Sequence, residues 1–155
     1  MVFFREIFDE VAADFPDIPT EYVYVDAAAL FLVQRPQAFD VIVTENMFGD
    51  ILSDLAAGIV GGMGMAPSGD IGENCAVFQP SHGTAPDIAG QGKANPIATI
   101  LSAALMMEWL GEQEVADRIE DGVRKTLANP AHRAADLGGS ESAESLAKIV
   151  ISHLA

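Results

Sequence analysis

Two aspartates, Asp50 and Asp54, have the residue type and the spacing that could hold a metal ion. On a helix, positions four apart lie about 40° apart around the axis, so both side chains would project from one face. Like charges placed in this way repel, and a divalent metal would relieve the repulsion because Mg²⁺ accepts carboxylates together with waters and substrate oxygens. The pair is also consistent with two solvated side chains near the positive end of the helix dipole. The spacing alone leaves both interpretations open.

A long segment of small residues, from residue 81 to residue 96, is the second candidate site. Its glycines and alanines would let backbone N–H groups approach a ligand closely, and it ends where a helix is expected to begin at Asn95, a position that favours an anion or phosphate. Asp87 could accept both hydroxyls of a ribose, as an acidic residue does in dinucleotide sites. A surface loop with a hydrogen-bonded histidine is the alternative interpretation, since the segment lacks the Gly-x-Gly-x-x-Gly pattern.

Strand and helix patterns alternate along the chain and would position these residues. The alternation predicts an α/β fold. Asp26, Asn46, Asn95 and Ser140 are expected to cap the helices that follow them. The predicted strands cover residues 21–25, 39–44 and 76–78. The predicted helices cover residues 3–14, 27–34, 47–60, 97–109, 114–127 and 141–154. The glycine-rich residues 61–70 are the predicted internal boundary.

The charge balance argues against two classes of partner. The chain has 155 residues, 23 of them acidic and 8 basic, for a net charge of −15. Binding to nucleic acid or to an anionic membrane surface requires clustered lysines and arginines, so neither partner is expected. The first ten residues contain carboxylates where a signal peptide needs an unbroken apolar stretch, and the longest apolar run, residues 27–33, is too short to span a membrane. A cytoplasmic protein is therefore expected.

Four sequence motifs extend over most of the chain: YVDAAA at residues 24–29, FDVIVTENMFGDILSD at 39–54, HGTAPDIAG at 82–90 running on to ANP at 94–96, and DLGG at 136–139. Together they resemble the β-decarboxylating dehydrogenases, the family of isocitrate, isopropylmalate, homoisocitrate and tartrate dehydrogenases. The resemblance implies an α/β fold of the isopropylmalate dehydrogenase type, of which this chain would be the C-terminal portion.

The resemblance also implies a metal and a dinucleotide as cofactors. It assigns Asp50 and Asp54 to Mg²⁺ or Mn²⁺, with Asp26 completing the site from the second subunit of a homodimer. NAD is favoured over NADP because Asp87 stands where NADP-using relatives carry a lysine, and a carboxylate would repel a 2′-phosphate. The implied cofactor-binding residues are His82, Gly83, Asp87 and Asn95.

The implied reaction is the oxidative decarboxylation of a small 2-hydroxy acid, with hydride transfer to NAD⁺ followed by loss of the β-carboxylate as CO₂. In the family, the first half of the protein supplies the arginines that bind substrate and the Tyr and Lys that transfer protons, so this chain carries no assigned catalytic residue. A complementing N-terminal half is an expected partner. Residues 1–60 would be the second part of the substrate and dimerisation domain, and residues 61–155 the second part of the cofactor domain. The alternative is a non-catalytic remnant that acts as a dimerisation or binding scaffold.

Overall fold

A computed structural model describes residues 1–154 and divides the chain into two compact units, residues 1–42 and the residues from Val43 onward. The boundary between these units differs from the domain boundary predicted after residue 60, which concerns the domains of a whole enzyme and stays a prediction. Within residues 1–154, no helix is long and apolar enough to cross a membrane.

The first unit contains helices α1 (Val2–Ala12) and α2 (Val25–Gln34). Tyr22 lies against α1: its ring centroid is 6.0 Å from that of Phe8, and the guanidinium carbon of Arg5 is 4.1 Å from the Tyr22 ring centroid. The Tyr22 hydroxyl donates a hydrogen bond to the Asp9 carboxylate, and this bond is the main cause that raises the pKa of Tyr22. The predicted helix over residues 3–14 is confirmed as far as Ala12, and residues 13 and 14 lie outside it.

Two of the predicted strands do not form. Residues 21–24 are irregular and α2 begins already at Val25, while residues 39–44 also lack a strand partner among the residues described. Most of their apolar side chains are exposed, Tyr24 by 84% and Val41 by 82%. Aromatic and β-branched composition reports how well a segment suits a sheet but does not supply a neighbouring strand. Both segments therefore present unpaired backbone and apolar surface.

The second unit combines a β-hairpin with four helices. Strands β1 (Pro67–Ile71) and β2 (Ala76–Pro80) pair antiparallel, with Gly69 opposite Phe78. The sequence does not predict β1, because residues 61–70 have the composition of a boundary. The predicted strand over residues 76–78 is confirmed as part of β2. The elements are α3 (Asn46–Ile59), β1 (Pro67–Ile71), β2 (Ala76–Pro80), α4 (Ile97–Trp109), α5 (Gln113–Ala128) and α6 (Ala143–Ser152).

Helix α4 lies at the centre of the second unit and packs against both strands of the hairpin and against α5, which in turn packs against α6. Its sequence is apolar on nearly every side, as expected of a helix that is covered all round. The core cluster consists of Ile97, Val123, Ala134, Leu146 and Val150. The core thus joins the start of α4 to α5, to the turn at Ala134 and to α6.

The helix caps differ in part from the predictions. Asp26 does not cap α2, because it lies within the first turn after Tyr24. Glu45, rather than Asn46, caps α3: its carboxylate accepts hydrogen bonds from the backbone N–H groups of Met47 and Phe48, each at 2.9 Å. Ser142, rather than Ser140, caps α6. The negative charge of Glu45 also suits the positive end of the helix dipole. The prediction of Asn46 used only the general preference for Asn at N-caps.

Candidate functional site

The aspartate pair lies on the exposed side of α3. Asp50 and Asp54 are both exposed and one helical turn apart. The side-chain amide of Asn46 donates a hydrogen bond to Asp50 Oδ2 at 3.0 Å. The ion pairs among residues 1–154 involve Arg124 and Lys148, so neither aspartate has a cationic partner there. Two accessible carboxylates without a cation are a suitable oxygen donor set for Mg²⁺.

No group of three His, Cys, Asp or Glu side chains suited to a metal occurs within the described part of the chain. Asp50 and Asp54 can therefore supply two protein ligands, and further ligands would have to be waters, substrate oxygens or residues of another chain. The predicted third ligand, Asp26, is an exposed residue of the first unit whose Oδ1 accepts a hydrogen bond from the Ala27 N–H at 2.8 Å. Its assignment to a partner subunit stays a prediction.

The segment from residue 81 to residue 94 contains one short 3₁₀ helix, Pro86–Ile88, and is otherwise built from turns and bends. The Ser81 N–H donates to the Ala66 carbonyl at 3.0 Å, and the Ala143 N–H donates to the Gly92 carbonyl at 2.8 Å, so the segment is held near both ends. Ala85 adopts a left-handed conformation with φ of 41°. Non-glycine residues in this region are strained and are concentrated at functional sites, where the surrounding structure enforces them.

Three of the predicted cofactor residues lie along this segment. His82 is half-buried and its Nδ1 is 2.9 Å from the Gly83 carbonyl oxygen. Asp87 is exposed; its backbone carbonyl accepts from the Gln91 side chain at 2.8 Å, and within residues 1–154 its carboxylate forms no hydrogen bond. A free, exposed carboxylate is available to a ligand with two hydroxyls, as a ribose has.

Asn95, the fourth predicted cofactor residue, has a different environment. It is buried, its Oδ1 accepts a hydrogen bond from the Ile97 N–H at 3.0 Å, and its Nδ2 donates to Asp136 Oδ2 at 3.0 Å. Asn95 thus accepts a hydrogen bond from the first helical N–H as a cap would, but the N-cap position itself is Pro96, one residue later than predicted. Since both ends of the amide are engaged, a ligand would meet the backbone around Asn95.

Two polar partners in the structure are not among the predicted site residues. The sequence predicts Asn46 as a helix cap, yet its spacing of four from Asp50 is the spacing of side chains that meet on a helix face. Asp136 belongs to the DLGG motif, and nothing in the sequence shows that it contacts Asn95, which is 41 positions away.

The second unit has an open groove of about 220 Å³, and none of the predicted site residues lines it. It is lined by Val60, Gly61, Met65, Leu127, Arg133 and Leu137.

Comparison with known proteins identifies the class. A profile of the isocitrate/isopropylmalate dehydrogenase family matches residues 1–150, and the chain belongs to this family. The fold agrees: the crystal structure of isocitrate dehydrogenase from Methylococcus capsulatus superimposes with a TM-score of 0.89 at 42% identity, covering 97% of this chain and 45% of that one. The predicted fold class is confirmed, and the chain has part of the α/β fold of these enzymes.

Individual relatives are similarly close. The chain is 54% identical over 151 residues to an isocitrate/homoisocitrate dehydrogenase of Thermus thermophilus, covering 97% of this chain and 45% of the relative. It is 52% identical to a 3-isopropylmalate/3-methylmalate dehydrogenase of Methanocaldococcus jannaschii, covering 95% and 45%. A β-decarboxylating dehydrogenase of Thermococcus kodakarensis matches with a TM-score of 0.82 at 40% identity, covering 98% of this chain and 45% of that one. The chain thus spans about 45% of the length of these relatives.

Proposed function

We propose that this chain provides the metal site and part of the NAD site of an enzyme that oxidatively decarboxylates a 2-hydroxy acid of the isopropylmalate, isocitrate or tartrate type. The observation that carries the proposal is the pair Asp50 and Asp54, which are exposed, one turn apart on α3 and without a cationic partner among the described residues. The names of the relatives support the reaction class.

The residues of this chain would bind and orient rather than transfer protons. Asp50 and Asp54 hold the divalent ion, and Asn46 holds the Asp50 carboxylate by its hydrogen bond. When bound, the ion supplies the Lewis acidity that stabilises an alkoxide and the enolate left by decarboxylation. The nicotinamide, as hydride acceptor, would be positioned by contacts of the dinucleotide with the segment around His82 and Asp87. A second copy of the chain would contribute Asp26 to the metal.

Asp50→Asn is expected to weaken binding of Mg²⁺ to the purified chain at least about tenfold, because it removes one of two charged ligands. Isothermal titration calorimetry measures the dissociation constant. Asp117→Asn is a matched control: Asp117 and Asp121 repeat the four-residue spacing on α5, and Gln113 donates to Asp117 as Asn46 does to Asp50, but Asp121 is paired with Arg124. If both variants lose the same affinity for Mg²⁺, the binding is due to general surface charge and the site is refuted.

The chain by itself is expected to form no NADH from isopropylmalate, isocitrate or tartrate in the presence of Mg²⁺ and NAD⁺. The reason is that the proton-transferring Tyr and Lys are implied in the part of the family's sequence that this chain does not match. NADH absorbance measures the rate, and turnover above the protein-free rate would contradict the assignment of those residues. Binding of NAD⁺ and Mg²⁺ without turnover supports a partial enzyme, whereas a chain that binds neither would be a dimerisation scaffold only.

A further inference from the structure

Three segments that are distant in sequence meet at Asn95, and we call Gly64, Asn95 and Asp136 the Asn95 junction. Asn95 is 7% exposed. Its amide nitrogen lies 3.0 Å from Asp136 Oδ2 and 3.7 Å from the sulfur of Met65, and its amide oxygen accepts from the Ile97 N–H. The Gly64 carbonyl accepts from the Ala98 N–H at 2.9 Å. Two of the free N–H groups at the start of α4 are therefore satisfied by this junction.

The Asp136 carboxylate determines which way the Asn95 amide faces. A carboxylate can only accept hydrogen bonds, so the NH₂ end of the amide must face Asp136 and the oxygen must face Ile97. A charged acceptor makes this bond stronger than one between neutral groups. Without it, the buried NH₂ group would lack a strong acceptor and the amide could rotate away from the helix N-terminus.

The close approach at Gly64 shows that the junction is tightly built. A Cβ atom at position 64 would lie 2.4 Å from Asp136 Oδ2 and 2.9 Å from Asn95 Cβ. Any side chain at this position would displace Asp136, Asn95 or both from their places beside Gly64. The glycine is thus required for the hydrogen bond and is not merely a flexible turn residue.

The junction also fixes the segment proposed to bind the dinucleotide. That segment starts at Ser81, whose N–H is bonded to Ala66, two residues after Gly64, and it ends directly at Asn95. We propose that Asp136 is a positioning residue for the NAD site: by holding Asn95, it sets the backbone between the end of the 81–94 segment and the first turn of α4. This inference rests on the proposed function of the segment.

Asp136→Ala is expected to lower the affinity of the chain for NAD⁺ about tenfold, as loss of a charge-assisted hydrogen bond would. Asp136→Asn, whose side-chain oxygen can still accept from Asn95, should recover the affinity to within about threefold of the original. Calorimetry measures binding, and amide hydrogen exchange measures local order. In Asp136→Ala, the amides of Ile97 and Ala98 should exchange faster while those of α5 keep their rates.

The possible outcomes separate this inference from the function on which it rests. If the unaltered chain binds no NAD⁺, the proposed function fails and the inference fails with it. If the unaltered chain binds NAD⁺ and Asp136→Ala binds it equally well, only the inference is overturned. It is also overturned if exchange rises throughout α5, because Asp136 would then support the fold in general. Gly64→Ala is a second variant that should reproduce the effect of Asp136→Ala.

Discussion

Leu146→Ala is expected to lower the free energy of unfolding by about 2–5 kcal/mol, the range found for large-to-small substitutions at buried sites. Leu146 is completely buried in α6 and packs in the core cluster with Ile97, Val123 and Val150. Alanine would remove apolar contacts to two other helices, and close packing allows only partial collapse of the space left. Urea unfolding followed by the fluorescence of Trp109, the chain's single tryptophan, measures the loss.

Ile151→Ala is the control, since Ile151 lies in the same helix but is 63% exposed. Its effect should stay within about 0.5 kcal/mol, as for most surface substitutions. A loss of similar size in both variants would mean that α6 does not pack through Leu146. Because Ile97 begins α4 directly after Asn95, the same core also supports the junction described above.

The helices could be predicted because their signals are local. Residues 97–109 are apolar and follow an Asn-Pro pair, and the helix was predicted with the bounds that the structure shows. The pattern around Val123 likewise predicted α5 to within one residue at each end. In both helices the pattern that predicts the helix lies within one segment, whereas the packing of the helix against other elements is not encoded there.

The strands could not be predicted in the same way, since a strand exists only with a partner. The run Val41-Ile42-Val43 has the composition of a buried strand, yet within residues 1–154 no other segment pairs with it and its side chains are exposed. In contrast, β1 was missed because Pro67, Gly69 and Asp70 are residues that sheets usually exclude. It forms because β2 lies a short turn away and provides the hydrogen bonds.

In the candidate site, too, local features could be predicted and contacts between distant segments could not. The spacing of Asp50 and Asp54 on one helix follows from four residues of sequence and is found as predicted. The bond between Asn95 and Asp136 joins positions 41 apart and depends on how three segments pack, which no local pattern encodes. The metal and cofactor roles rest on the resemblance and stay predictions.

The turn that carries Asp136 depends on a second close approach, at Gly139. A Cβ atom there would lie 2.0 Å from the carbonyl oxygen and 2.5 Å from the carbonyl carbon of Arg133. That carbonyl also accepts a hydrogen bond from the Glu141 N–H at 3.0 Å, and the Gly139 N–H donates to the Ala134 carbonyl at 2.9 Å. Ala134 is completely buried in the core cluster, so neither side of the turn can move outward freely.

Gly139→Ala is therefore expected to cost about 3 kcal/mol or more of unfolding free energy, the upper end for overpacked sites, because the clash is with backbone rather than with a side chain that could rotate. Gly58→Ala is the matched control: apart from its chain neighbours and the backbone of its own helix, no atom lies within 4 Å of a Cβ at this position, and alanine should be neutral or stabilise α3 by up to about 1 kcal/mol. Urea unfolding of both variants gives the comparison. If Gly139→Ala unfolds at the same urea concentration as Gly58→Ala, the turn is looser than the contacts indicate, and Asp136 is then not held rigidly enough to position Asn95.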